Sequence, residues 1–244
     1  MPRFPIRKKP SSQDDGILRG TISKSDYTHI TKVLRFGTGD RITVFDAESV
    51  EYEGIIMDIS SETITIRVQN TRQLETEPEL ELNLFQAILK ANRMDGIISQ
   101  ATQLGVSEIF PVISERTQVR STSKVKRWNK IALESTKQCR RAVPPVVSQP
   151  VDFKSAFRVR GESEIKIILY ENKNELLRDY MRSMDGQVNS ISIFIGPEGG
   201  FSQREITLAE KSGYTALSLG KRILRAETAS VVSLALLQSR FGDI

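Results

Sequence analysis

From residue 80 onward the chain keeps switching between two hydrophobic periodicities, and that switching restricts its fold more than any other feature. LELNLFQAI, SEIFPVI, IKIILYE, SISIFI and TALSLG are short apolar runs of the kind that form buried strands. Between them lie segments with helical spacing: RMDGIISQATQLG ending at Gly105, residues 124 to 141, NELLRDYM, SQREITLAEKSG, and a last helix beginning around Thr228. Strands that alternate with helices predict an α/β domain, a mostly parallel sheet with helices on both faces. Residues 17 to 72 read differently. The helix-like SDYTHITKVLR is followed by DRITVFDA, VEYEGIIMDI and ETITIRVQN, closely spaced strands that suggest a small β-barrel. The acidic, proline-containing QLETEPELE reads as a linker, which places a barrel domain at 1–74 and the α/β domain at 75–244.

Several function classes are excluded early. One cysteine, Cys139, and one histidine, His29, leave no internal disulfide and no Cys/His metal site. A Ser-His-Asp triad would have to use His29, which sits far from any nucleophile-elbow pattern. No run of about 18 apolar residues exists, so no membrane partner is expected. The basic MPRFPIRKKP start lacks an apolar signal region, and a soluble, cytoplasmic protein is expected. The net charge is +5, but nine basic residues lie between Arg116 and Arg141 against the single acid Glu134. On that helix Val125, Trp128, Ala132, Ser135 and Cys139 form the buried stripe, while Lys126, Lys130, Lys137 and Arg141 share the opposite side. Such a face suits a polyanion, although a merely solvated face reads the same way.

Three strand ends carry the residues of a ligand crevice: LYE at 169–171, GPEGG at 196–200 and LGKRILRAETA at 219–229. GPEGG runs from a strand into a helix opened by Ser202 and Glu205, a capping-box pair. There is no G-x-G-x-x-G or Walker pattern, and Glu198 would oppose a pyrophosphate. A cationic or neutral ligand fits better, and S-adenosylmethionine, with its sulfonium and uncharged adenosine, meets that description. A tight turn needing positive φ at Gly199 or Gly200 would use the same residues. Arg225 and Glu227 precede the nearly all-apolar ASVVSLALL. That helix is expected to be buried, which would anchor the two charges in the interior, paired with each other or functional.

At GPEGGFSQRE, LGKRILRAETA, HITKVLRFGTGD, MDGIISQATQLGVSEIFPVISERT and STKQCRR the chain resembles the bacterial 16S ribosomal RNA uridine-N3 methyltransferases of the SPOUT superfamily. The motifs span essentially the whole chain in the family's order. The resemblance implies a PUA-like barrel, a SPOUT-type parallel sheet with a C-terminal trefoil knot, a homodimer, and 16S rRNA of the small ribosomal subunit as substrate. It places the S-adenosylmethionine contacts on Leu169, Tyr170 and Glu171, on Gly196, Pro197, Glu198, Gly199 and Gly200, on Leu219 and Gly220, and on Ile223, Leu224, Arg225 and Ala226. Arg225 would stabilise a uracil oxygen and Glu227 would orient that arginine or accept the N3 proton; a structural ion pair at a helix start is the alternative. RNA would follow Arg3, Arg7, Lys8, Lys9, Arg19 and Arg35 of the barrel, and Arg116, Lys126, Lys130, Lys137 and Arg141. Gln100 and Gln103 depart from the lysine and glutamate usual in the family, and Pro5 from a frequent aromatic. An RNA-binding or assembly module with a vestigial pocket, or a SPOUT enzyme acting on another nucleotide such as one in transfer RNA, are the competing readings.

Overall fold

A computed structural model describes residues 2–14 and 16–244, the side chains of 8–14 excepted, so Lys8 and Lys9 lie outside the described side chains. The chain forms two compact units, one of Met1–Glu77 with Thr136–Val143, the other of Pro78–Ser135 with Pro144–Ile244.

The first unit is built on six strands: β1 (Arg3–Pro5), β2 (Arg7–Asp14), β3 (Ile17–Thr21), β4 (Arg41–Phe45), β5 (Val50–Ile59) and β6 (Thr63–Gln73). They lie in the order β1-β4-β5-β6-β3-β2, antiparallel except for the β1–β4 pair. Helix α1 (Lys24–Thr28) follows β3 and runs on as a π-helical turn, His29–Val33. Its N-cap Ser23 accepts from the Asp26 amide at 3.0 Å, which satisfies a donor the first turn leaves open. Phe4, Leu18, Ile30, Val44, Ile56 and Ile64 meet in one core beneath the sheet. The first three strands are an addition to the sequence reading. The basic arm is therefore sheet, and its period-2 pattern is hidden by Pro5, Pro10 and consecutive lysines.

The second unit alternates as the periodicities predict. In chain order it has β7 (Glu81–Ala87), α2 (Arg93–Gln103), β8 (Glu108–Ile113), α3 (Val125–Cys139), β9 (Val146–Val147), β10 (Val151–Asp152), α4 (Phe153–Ala156), β11 (Ile165–Leu169), α5 (Leu177–Arg182), β12 (Ser190–Ile195), α6 (Gln203–Lys211), β13 (Thr215–Leu217) and α7 (Ala226–Phe241). The strand order is β10-β8-β7-β12-β11-β13, with β9 also on β8, and all pairings are parallel. Successive side chains of a strand point to opposite faces. Leu82, Leu84, Ile191 and Ile193 therefore enter an aliphatic layer with Trp128, under α2, α3, α5 and α7. Phe85 and Phe194 enter an aromatic layer under α4 and α6, their rings stacked at 4.4 Å. Among the described residues no helix is long and apolar enough to cross a membrane.

Strand order also positions the ligand crevice. After β11 the chain places β12 on one side of it and β13 on the other. Connections that diverge in this way from one strand open a crevice at the strands' carboxyl ends. The LYE, GPEGG and LGKRILRAETA segments leave the sheet there.

Candidate cofactor and RNA site

The LYE, GPEGG and LGKRILRAETA segments line one cavity of about 700 Å³, within the range of small-molecule sites. All fourteen residues expected at the cofactor face this cavity, from Leu169 through Gly196–Gly200 to Ala226. Gly200 has φ +65°, and a Cβ there would lie 2.8 Å from the Glu171 carboxylate. The left-handed position in the turn is thus Gly200, since Gly199 lies outside that region. Gly220 has φ +132° with nothing within 4 Å of where its Cβ would be, so any larger side chain would strain the backbone and point into open space. The capping box is complete: Ser202 Oγ accepts from the Glu205 amide at 3.3 Å, and Glu205 Oε2 accepts from the Ser202 amide at 2.9 Å. Glu205 Oε1 accepts in turn from the Glu115 amide at 2.8 Å, and Ser202 Oγ donates to Glu115 Oε2 at 2.7 Å, which ties the start of α6 to the segment after β8.

Two expectations at the third strand end are corrected. The loop before α7 is not interior: Ile223 is 84% exposed and Arg225 is also exposed. The face of α7 turned to the sheet is partly polar, with Ser230 donating to Gln86 Oε1 at 2.6 Å and Ser233 and Gln238 buried beside Leu234 and Leu237. Val231, Val232 and Ala235 are only half-buried and Leu236 is exposed, because a helix can turn only one stripe inward. Nor do Arg225 and Glu227 pair. Glu227 Oε2 lies 3.9 Å from Arg93 Nη1, and the same arginine reaches Glu198 Oε1 at 3.4 Å. Lys90 also lines the cavity and donates its amide to Glu198 Oε1 at 3.2 Å. Sequence reasoning missed Arg93 and Lys90. The signal was present, since both follow a strand, but only the β7–β12 pairing puts that strand end beside the glycine loop.

The basic face is also corrected, residue by residue. Arg3 is buried, with Nε 2.5 Å from Glu51 Oε2 and its guanidinium over the Phe45 ring. Arg141 is buried and donates to Glu77 Oε2 at 2.8 Å, and Lys137 donates to the buried Asp26 at 2.6 Å. These three cations are held inside by carboxylates rather than offered to phosphates. Arg116 is exposed, but its Nη1 donates to the Gly199 carbonyl at 2.7 Å, so it braces the glycine loop. Arg127 is paired with Asp95 at 2.7 Å. Of the helix face, Lys126 and Lys130 remain exposed and unpaired among the described residues, as does Arg140 just beyond it. In the barrel unit Arg7, Arg19 and Arg35 are exposed.

Comparison with known proteins settles the family. The model of the RNA methyltransferase domain matches residues 76–238, and that of the RNA methyltransferase PUA domain matches 22–69. The chain belongs to the RNA methyltransferase family. Ribosomal RNA small subunit methyltransferase E of Buchnera aphidicola is 32% identical over 227 residues, 91% of this chain and 88% of that one. The enzyme of the same name from Aquifex aeolicus is 30% identical, over 85% of this chain and 93% of its own. The crystal structure of a ribosomal RNA small subunit methyltransferase E from Neisseria gonorrhoeae, bound to S-adenosyl methionine, matches with a TM-score of 0.86 at 28% identity, covering 100% of this chain and 99% of that one. A Legionella pneumophila protein solved with the bound cofactor SAM matches at 0.85 and 31% identity, over 99% of this chain and 98% of its own. The RNA methyltransferase family thus accounts for both the PUA-like unit and the parallel-sheet unit.

Proposed function

We propose that this chain transfers the methyl group of S-adenosylmethionine to N3 of a uridine in the 16S ribosomal RNA of the small subunit. The observation that carries this reading is the convergence of all fourteen family cofactor positions, from separate stretches of sequence, on one cavity. The residues fit the group: Leu169, Ile195, Leu219 and Ala229 offer apolar wall for an adenosine, and the glycine segments offer backbone donors and acceptors. Glu171 and Glu198 line the same cavity and suit a cationic centre. When bound, S-adenosylmethionine supplies a methyl group already activated by its sulfonium charge. The chain's own task is to hold the uracil in line with that group and to deal with the proton on N3. Arg225 lines the cavity for that role, and Glu227 follows it in the first turn of α7.

In this reading 1–74 is the RNA-binding PUA-like domain and 75–244 the catalytic domain, with a trefoil knot formed by the segments that carry the glycine loops. Arg7, Arg19, Arg35, Lys126 and Lys130 are its exposed phosphate contacts, which position the RNA without reading its sequence. The cytoplasm is its compartment. A homodimer belongs to the same proposal, supported by the half-exposed apolar side of α7.

Calorimetry with S-adenosylmethionine and nucleoside mass mapping of rRNA from a deletion strain test it together. Cofactor binding with one missing N3-methyluridine in 16S rRNA is expected. No binding favours an assembly module, and a lesion in transfer RNA favours another substrate. Gly200→Val places a branched side chain at φ +65° against Glu171 and should abolish cofactor binding while leaving the circular dichroism of the fold in place.

A further inference from the structure

Arg93 lines the cavity together with Arg225. It opens α2 directly after a loop whose geometry is fixed from outside. Ala91 sits at φ +56°, an unusual conformation for a side-chain-bearing residue, and Lys124 Nζ donates to its carbonyl at 3.0 Å. The guanidinium then meets two carboxylates from other elements, Glu198 Oε1 on the cavity wall at 3.4 Å and Glu227 Oε2 in the first turn of α7 at 3.9 Å. Neither contact is tight, so a planar group with five N–H donors keeps most of them available. Its side chain is 43% exposed at the cavity. Arg225, by contrast, is exposed with no side-chain partner among the described residues. Glu227 Oε2 is shielded from solvent and accepts no hydrogen bond.

This arrangement has a chemical counterpart in uracil. N3 lies between two carbonyls, and its lone pair is free for a new bond only when its proton leaves. Resting on the uridine-N3 reading above, we infer that Arg93 is the cation that supports the uracilate, with Glu227 as the proton acceptor. The N3–H bond breaks, the proton passes to a Glu227 carboxylate oxygen, and the electron pair stays on the ring, spread over N3, O2 and O4. Arg93 donates to one of those oxygens while Glu198 holds it from behind. A donor fixed before the charge develops stabilises it without reorganisation.

The test uses full-length wild type and Arg93→Gln on a small-subunit rRNA fragment transcribed with uridine or with 5-fluorouridine. N3-methyl product is counted by mass spectrometry. Fluorine withdraws electrons and makes N3–H more acidic, so a missing cation matters less. Removing a preorganised donor should lower kcat on uridine RNA by about 10²- to 10³-fold. On 5-fluorouridine RNA the loss should be at least about tenfold smaller, with KM and S-adenosylmethionine affinity changed less than about threefold. Equal losses on both RNAs, or cofactor affinity falling in step with activity, would overturn the assignment, because Arg93 would then only brace Glu198 and Glu227. Should Arg93→Gln lose its circular dichroism, Arg93→Lys is read by its pH profile. A profile moved to more alkaline pH supports the role, and one superimposed on wild type overturns it. If the wild type itself makes no N3-methyluridine on either RNA, the uridine reading fails first and takes this role with it.

Discussion

Lys130 and Lys137 sit on the same helix with the same charge, yet their surroundings give them opposite significance. Lys137 donates to Asp26, which is 2% exposed, whereas Lys130 faces water. Taking one partner from a buried pair leaves the other charge desolvated and unmatched, which costs about 3–5 kcal/mol. Lys137→Glu should therefore lower the unfolding free energy from urea titration by an amount in that range, while Lys130→Glu should stay within about 0.5 kcal/mol of wild type. Tyr214 gives a second test at this scale. Burial drives its phenol up to about 12, with a hydrogen bond from Ser192 opposing the shift. The folded state thus prefers the neutral phenol. Its contribution to stability is complete below the ordinary value of 10.0 and disappears as pH rises through about 12. Between those limits wild type should lose stability with pH more steeply than Tyr214→Phe, as measured by urea unfolding at stepped pH.

At the scale of elements, α3 combines a buried stripe with a face that is only partly available to RNA. Lys124 and Arg127 are already engaged, by the Ala91 carbonyl and by Asp95. Lys126 and Lys130 are the free cations of that helix among the described residues. Each phosphate contact contributes roughly −0.7 to the log–log salt slope for single-stranded RNA. The double variant Lys126→Glu with Lys130→Glu should weaken RNA binding across sequences and flatten the slope by up to about 1.4, with cofactor affinity unchanged. An unaltered slope in filter-binding titrations would assign RNA docking to Arg7, Arg19 and Arg35 of the barrel unit. Neither substitution touches the cavity, whose lining comes from other elements.

The whole molecule raises the question of what covers the outer side of α7. Val231, Val232 and Ala235 are half-buried, Leu236 is exposed and Ile223 is 84% exposed, all on the second unit. Apolar groups gathered in this way are a normal mark of an association surface. Light scattering should give twice the 27.5 kDa chain mass for wild type. Leu236→Glu should shift it toward monomer at micromolar concentration, with the fold kept because that side chain is already solvent-facing. A monomeric wild type would remove the dimer from the proposal.

Sequence alone determined what depends on neighbouring residues. Hydrophobic period follows which side of one element is buried, so the β/α alternation of the second unit was legible before any coordinates, while the division of its strand faces into an aliphatic and an aromatic layer was not read from it. The Ser202–Glu205 capping box was legible for the same reason, since its two hydrogen bonds join residues three apart. Tertiary structure decided everything that needs distant segments to meet. Lys137 and Asp26 are 111 positions apart, and Arg93 and Glu198 are 105 apart, so no local pattern marks either pair. Which cations remain free follows from where Asp26, Glu51, Glu77 and Asp95 come to lie, and which residues face the cavity follows from how β7, β11, β12 and β13 are ordered in the sheet. That order is fixed by the burial of the whole sheet and by the path of the connections between its strands, a property of the packed chain rather than of any stretch within it.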